Sequence, residues 1–452
     1  MPGLPARRPR SGAAALNSPE TARPSLHRSV GLTGVVMFGA GTAIGVSIFS
    51  VLQPASEVAG SALLAAIVIA MIPMAFFAIV YAWLASVLPV SGASYEWPRR
   101  FLGPYIGFSI AWLRIISNVG ALVVLGQVFG NYVGMVFAVP PGWFAPGLIT
   151  LVFLLNYVGV EMAARVQTVL MIGLIAVLSV FVVTGVPHCS SALVGTPLAG
   201  VPFPALAAVP LLISLFLGIE SAVEIGEEVR NPQRTIPLGI LLAIMLTALV
   251  YGAVALVALG LVGPEALAAA KAPLLEAARV AMGESAVPLI VGAAAISITK
   301  TMNSTALVFS RSIFAMARSG SLPGGLAAIH PRFGSPHRAV LLCYGFAMAG
   351  LFLPSSLVFL LLAVNLPTML KYLACSLCAI RIARGEPDLA ATARIGLSLR
   401  TLTICAWIAV ACAIGVILAG LEADMRPYYL VLGWFVVGTV YYVMRNRPGA
   451  AL

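Results

Sequence analysis

The sequence predicts an all-α integral membrane protein with twelve transmembrane helices. Three observations carry that prediction: composition, the number and length of apolar runs, and the sorting of positive charge among the segments that join them. The chain has 452 residues, of which 61% are apolar and only 9% charged, and its mean hydropathy is +1.04. A soluble protein needs roughly a quarter of its residues charged to cover its surface, so lipid must solvate most of this chain.

Twelve apolar runs approach or exceed the roughly 20 residues that a spanning helix needs. They cover 31–53, 61–87, 103–138, 143–160, 166–187, 206–226, 236–262, 286–317, 338–353, 355–381, 399–420 and 427–444, the ninth and tenth being divided only by Pro354 and Ser355. Residues 1–28 precede them as a Pro-, Ala- and Arg-rich tail with no apolar run; a segment of that composition is expected to be disordered. It carries no signal peptide, since the first apolar run is too long and has no cleavage site.

Charge sorting supports the count. With both termini placed in the cytoplasm, 20 of the 26 cations fall in the tail or in alternate connections: Arg99 and Arg100, Arg165, Arg230 and Arg234, the four from Arg311 to Arg338, the four from Arg381 to Arg400, and Arg445 and Arg447. The opposite loops receive only Lys271, Arg279 and Arg426. One missed span would invert every later loop and destroy this asymmetry. The net charge of +11 is therefore topological, and a nucleic-acid partner is excluded. Arginine supplies 23 of the cations, which points to a GC-rich genome and so to the inner membrane of a bacterium.

Two spans are built to break. Gly39, Gly41 and Gly45 fall within seven residues of the first span, and each costs about 1 kcal/mol in a helix relative to alanine. In lipid, an interrupted helix is tolerated only where the freed backbone groups face protein or a water-filled cavity. Phe216-Leu217-Gly218-Ile219-Glu220-Ser221 places a glycine beside a carboxylate within the sixth span. Broken spans five positions apart fit two inverted repeats, spans 1–5 and 6–10, whose first members are both discontinuous; that is the pattern of a secondary transporter. The chain then divides into the tail, a transport core over 29–381, and two further helices with a short terminus over 382–452.

Several stretches together resemble the amino acid–polyamine–organocation superfamily of permeases over about residues 30–445. They are the glycine-rich joint of span 1; Pro89-Val90-Ser91-Gly92-Ala93-Ser94-Tyr95 followed by Gly103-Pro104; Phe216–Ser221 with Glu227-Glu228-Val229-Arg230-Asn231-Pro232; and Ser310-Arg311-Ser312 through Leu322-Pro323 with His330-Pro331-Arg332-Phe333-Gly334. The resemblance implies alternating access, amino acids, amines or related organic cations as substrates, and either proton symport or exchange. Many bacterial members are dimers, so a homodimer is one expectation.

The residues suggest particular roles. Ile44, Gly45, Val46, Ser47 and Ile48 form the first joint, where N–H groups and the dipole of the second half-helix would meet a substrate carboxylate; the alternative is a packing motif that lets helices approach closely. The resembling family usually ends this motif with small residues and a final glycine, so Val46 and Ser47 depart from it. At the second break, Leu217 and Gly218 offer carbonyls to an ammonium, Phe216 is a further substrate-binding candidate, and Glu220 is a carboxylate at membrane depth, a candidate for proton coupling by default. Glu220 also matches a proton- and substrate-responsive glutamate in arginine/agmatine-type exchangers, and Asn118 a substrate-contacting position there. Arg114 is expected to pair with Glu220 or Glu224, making Arg114 and Glu224 a gate or ion pair. Lys300 lies on a polar stripe with Ser297, Thr301, Ser304 and Thr305 at helical spacing. It is expected to hold, as a resident cation between spans 1 and 8, the place that sodium takes in sodium-coupled relatives. Arg311, Arg318, Arg230 and Arg234 read as cytoplasmic anchors and as gate partners for Glu227 and Glu228; lying at the membrane edge, they are expected to act mainly through topology.

Cys375 and Cys378 fall inside an apolar run, where small buried thiols are expected and metal or redox chemistry is not. No His/Asp or Ser/His pair and no metal-spaced cluster lies at membrane depth, so neither an enzyme nor a cofactor is implied. The expectation is a transporter moving a small amino acid, coupled to protons. The alternatives are an exchanger of amino acids, amines or polyamines, and a degenerate sensor that has lost transport.

Overall fold

The computed structural model describes residue 26 and residues 28–45, 47–134, 136, 143–194, 208–270, 272–352, 357–421 and 425–446. Most of the expected tail (1–25), His27, Val46, Lys271, the Pro354–Ser355 boundary and Arg447 lie outside the described residues. The chain is almost wholly helical. In order the helices are α1 (Leu32–Ala43), α2 (Ser47–Ser50), α3 (Leu52–Ala59), α4 (Leu63–Val87), α5 (Ala93–Phe101), α6 (Pro104–Val133), α7 (Phe144–Val158), α8 (Val160–Gly185) and α9 (Ser191–Val194). They continue as α10 (Val209–Ile213), α11 (Pro232–Ala269), α12 (Pro273–Met282), α13 (Ala286–Arg318), α14 (His337–Gly350), α15 (Leu357–Gly385), α16 (Pro387–Ala390), α17 (Leu399–Leu421) and α18 (Arg426–Arg445).

Among the described residues, nine helical stretches are long and apolar enough to cross a bilayer. The fourth, sixth and ninth runs of the sequence are not among them. α7 has 15 residues and α14 has 14, against about 20 for a full span. The sixth run is a five-residue helix, α10, followed by short 3-10 turns at Ser214–Phe216, Ser221–Glu224 and Gly226–Glu228. The fifth run starts earlier than its hydropathy indicates. Gly159, at φ 125°, turns α7 into α8, so Glu161 and Arg165 belong to the helix.

The three glycines of the first break are explained by contact. A Cβ on Gly39 would lie 2.6 Å from the carbonyl oxygen of Ile219, one on Gly41 would collide with the Gln167 amide, and one on Gly45 would lie 2.9 Å from Thr301 Oγ1. Each glycine thus admits a different neighbour: the second break, α8 and α13. The packing reading of this motif and the reading as a chain break both describe it. The contact is reciprocal at Gly218, which takes φ 99° and would place a Cβ 2.5 Å from Thr42 Cγ2.

Buried apolar side chains form two large clusters. One joins α1, α4, α8, α11, α12 and the inner faces of α15 and α17. The other joins α6, α7, α14 and most of α13, with α18 packed on it. α18 is fastened to α6 by a reciprocal pair: Trp112 Nε1 donates to the Trp434 carbonyl and Trp434 Nε1 to that of Trp112, both at 2.9 Å. Their rings stack at 4.9 Å.

Glycine substitutions separate close packing from ordinary helix propensity. Gly39→Ala and Gly218→Ala are each expected to destabilise the purified protein by about 1–3 kcal/mol through overpacking and backbone strain. Gly252→Ala, in α11 with no atom near its added Cβ, should be neutral or stabilise by about 0.5–1 kcal/mol. Melting temperatures of the three variants check this order.

Candidate substrate site

A cavity of about 210 Å³ lies where the two breaks meet α6, α13 and α15. The elements bring polar groups to it at helical spacing. α6 supplies Arg114, Ser117 and Asn118; α13 supplies Thr301, Ser304 and Thr305; α15 supplies Asn365, Thr368, Lys371 and Tyr372. The first break gives Thr42, Gly45 and Ser47, and the second gives Leu217, Gly218, Glu220, Ser221 and Glu224. The breaks are tied at the cavity wall: Ser221 Oγ donates to Thr42 Oγ1 at 2.9 Å, and Thr42 Oγ1 donates to the Phe38 carbonyl at 2.7 Å.

The interrupted helix needs acceptors and donors for its loose ends. Tyr251 Oη donates to the Ala43 carbonyl at 2.7 Å and accepts from the Gly45 N–H at 3.2 Å. Lys300 Nζ donates to the Gly41 carbonyl at 2.5 Å and also to that of Ile44, while Ser297 Oγ reaches the Ile44 carbonyl at 3.1 Å. A cation at a helix C-terminus is the favourable sign for the dipole. α13 therefore closes the open carbonyl end of α1 from behind the cavity.

Ionisable side chains of the cavity are paired. Arg114 Nη1 meets Glu224 Oε1 at 2.9 Å, and Lys371 Nζ meets Glu220 Oε1 at 2.6 Å. Of the two partners open to Arg114, the structure gives Glu224. Four buried polar atoms lining the cavity have no hydrogen-bond partner among the described residues: Asn118 Nδ2, Ser304 Oγ, Glu220 Oε2 and Tyr372 Oη. Burying such an atom unsatisfied costs about 1–3 kcal/mol, so four at one place mark a surface made to meet polar groups of something else.

The sequence-predicted residues separate into three groups. Gly45, Ser47, Asn118, Leu217, Gly218, Glu220, Arg114 and Glu224 line the cavity together. Ile44, Ile48 and Phe216 are buried in the apolar core beside it, and Lys300 is fully buried behind the joint. Val46 is outside the described residues. The Gly218 carbonyl, expected to face a ligand, accepts the Ser221 N–H at 2.9 Å, and the neighbouring Gly45 N–H at the first joint bonds Tyr251. Lys371, Tyr372 and Tyr251 were not anticipated. A signal for the first two exists, since Asn365, Thr368, Lys371 and Tyr372 repeat at three- and four-residue spacing along one face, as the α13 stripe does.

Beyond the second break the chain enters an ionic cluster. Arg311 is fully buried and makes a two-pronged contact with Glu228, at 2.9 and 3.1 Å. Arg318 does the same with Glu227, at 2.7 Å in each prong. The acids are the two named as their partners from the sequence, so the charges of both arginines serve more than topology. For Glu227, burial pushes the carboxyl up, but the hydrogen bonds and charge of Arg318 and the Ser91 N–H outweigh it and hold the group below the usual glutamate range. Arg230 is exposed and reaches the Arg28 carbonyl, at 3.4 Å. Among the described residues no group of three His, Cys, Asp or Glu side chains could hold a metal ion.

Comparison with known proteins gives a consistent set of relatives. The amino acid permease family model matches residues 34–445. An uncharacterized transporter of Mycobacterium tuberculosis is 34% identical over 320 residues, covering 70% of this chain and 72% of its own. The methylthioribose transporter of Bacillus subtilis is 27% identical over 96% of this chain and 97% of its own. A branched-chain amino acid permease of the same organism is 26% identical over 81% and 83%.

The buried Arg311–Glu228 pair is open to a direct test. Removing one partner strands the other charge, which costs about 3–5 kcal/mol. Arg311→Met and Glu228→Gln are each expected to lose that much stability, and the Arg311→Met/Glu228→Leu double variant to recover most of it, as read by thermal denaturation.

Proposed function

The chain belongs to the amino acid permease family, and from that premise we propose that it moves a small amino acid across the membrane by alternating access, coupled to protons. The observation that carries this reading is the cavity between two broken spans, with unpartnered donor and acceptor atoms at Asn118, Ser304 and Glu220. Its volume of about 210 Å³ is below the roughly 300–1,000 Å³ of sites for drug-sized ligands, which favours a small solute. In this reading the substrate lies between the breaks. Its carboxylate faces Gly45, Ser47 and Asn118, and its ammonium faces the free oxygen of Glu220. Lys300, between α13 and the carbonyl end of α1, is the proposed coupling residue with Glu220, and the Arg114–Glu224 pair is the inner gate.

The proposed topology has twelve spans with both termini in the cytoplasm. α7, α14 and the sixth apolar run, 206–226, complete the nine long spans, and the first ten form two inverted repeats over 29–381. The contact of Gly39 with Ile219 and of Gly218 with Thr42 supports pairing the first and sixth spans across such a repeat. A neutral, hydroxyl-bearing solute is the second reading. It is favoured by the number of hydroxyl side chains in the lining and by the similarity to a methylthioribose transporter along nearly the whole chain.

Uptake into proteoliposomes tests the proposal. Radiolabelled alanine, valine and leucine are supplied with and without an inward proton gradient, with methylthioribose as a parallel arm. The expected result is accumulation of at least one amino acid driven by the gradient. Lys300→Met should reduce the gradient-driven component at least tenfold while the protein still melts cooperatively. Uptake of methylthioribose alone would replace the first reading by the second.

A further inference from the structure

The four charged side chains lining the cavity are two cations and two acids, all nine-tenths or more buried. Of the two cations, one is also set against aromatic rings. Lys371 extends from α15 so that its Nζ lies 2.6 Å from Glu220 Oε1, 4.4 Å from the centre of the Tyr372 ring and 5.6 Å from that of Tyr81. A carboxylate with two aromatic faces within about 6 Å is a seat for an ammonium group. In this chain the ammonium is tethered. We propose that Lys371 is a specificity-determining residue: it fills the cation seat made by Glu220, Tyr81 and Tyr372, so that the cavity admits solutes of no net positive charge. The inference rests on the cavity being the substrate site of the proposed carrier.

Charge balance gives the mechanism. With Lys371 on Oε1 and Arg114 on Glu224, the lining carries no net charge. A zwitterion can still place its ammonium against Glu220 Oε2, which has no partner in the protein, because it brings its own carboxylate. A monoamine or polyamine brings an uncompensated cation beside Lys371 in a buried, weakly screened site. Removing the lysine side chain reverses the preference, since Glu220 is then a buried acid facing two aromatic rings. Selection here works by repulsion of the wrong class as well as attraction of the right one.

The test compares wild type, Lys371→Ala, Lys371→Met and Lys371→Ala/Glu220→Gln, each purified in detergent. The probes are putrescine, as the cation, and alanine and leucine, as zwitterions. Binding is read from the concentration dependence of the melting temperature. The expected result is putrescine affinity at least tenfold higher in Lys371→Ala than in wild type, with the gain lost in the double variant. Lys371→Met keeps the volume of the stem and gives the same contrast should the alanine variant not fold. Putrescine binding by wild type within tenfold of the variants overturns the proposal. So does failure of putrescine to bind folded Lys371→Ala or Lys371→Met. If neither zwitterion shifts any protein while the putrescine contrast holds, the amino acid reading fails and the specificity assignment stands.

Discussion

Two interrupted stretches of chain are pressed against each other at the centre of the bundle, and the rest of the structure depends on that contact. The Ile219 carbonyl occupies the space beside Gly39, and Thr42 the space beside Gly218. Neither approach is compatible with a side chain at the glycine. Ser221 and Thr42 then join the two segments by a hydrogen bond. A broken helix in a bilayer is costly because its loose backbone groups lack water, so such a contact persists only with partners supplied from elsewhere. Tyr251 of α11 and Ser297 and Lys300 of α13 supply them at the first break. At the second, the chain leaves regular helix for 3-10 turns, and the Glu224 carbonyl bonds the Gly92 N–H instead.

The same contact places the charges. The second break carries Glu220 and Glu224 into the cavity and Glu227 and Glu228 beyond it, so four acids lie within nine residues of buried or half-buried chain. Each has a basic partner on a different helix: Lys371 on α15, Arg114 on α6, and Arg318 and Arg311 on α13. Buried ion pairs add little net stability after desolvation, but an unpaired one would be prohibitive. These pairs therefore fix which helices can surround the second break. They also bring α6, α13 and α15, each with a polar stripe, around one cavity.

Much of this was legible in the sequence. Gly39, Gly41 and Gly45 announced the first break, Gly218 beside Glu220 the second, and the stripe on α13 its inward face. That Arg114 pairs with Glu220 or Glu224 followed from opposite charges at membrane depth; the choice of Glu224 comes from the structure. The partner of Glu220 did not, because sequence spacing says nothing about which of several distant helices faces a given carboxylate. For Arg311 the sequence indicates the acids it meets but not its depth, for a related reason. Hydropathy places a cation near the end of a span at the membrane edge, whereas its partner Glu228 draws it into the interior. The hydroxyl of Tyr251 was missed because a lone tyrosine in a long apolar run carries no periodic signal. The three apolar runs that did not become long helices, at α7, α10 and α14, show the limit of counting spans by hydropathy.

The central claim is that the space between the two breaks is where the solute binds. Ser304 lines that space from α13, and its hydroxyl has no protein partner. The most direct measurement is isothermal titration of purified protein with a panel of small neutral amino acids, comparing wild type with Ser304→Leu, whose larger side chain would fill the cavity. The account predicts saturable binding of at least one amino acid to wild type and its loss in a Ser304→Leu protein that still melts cooperatively. Binding of unchanged affinity in Ser304→Leu would place the solute elsewhere and contradict the account.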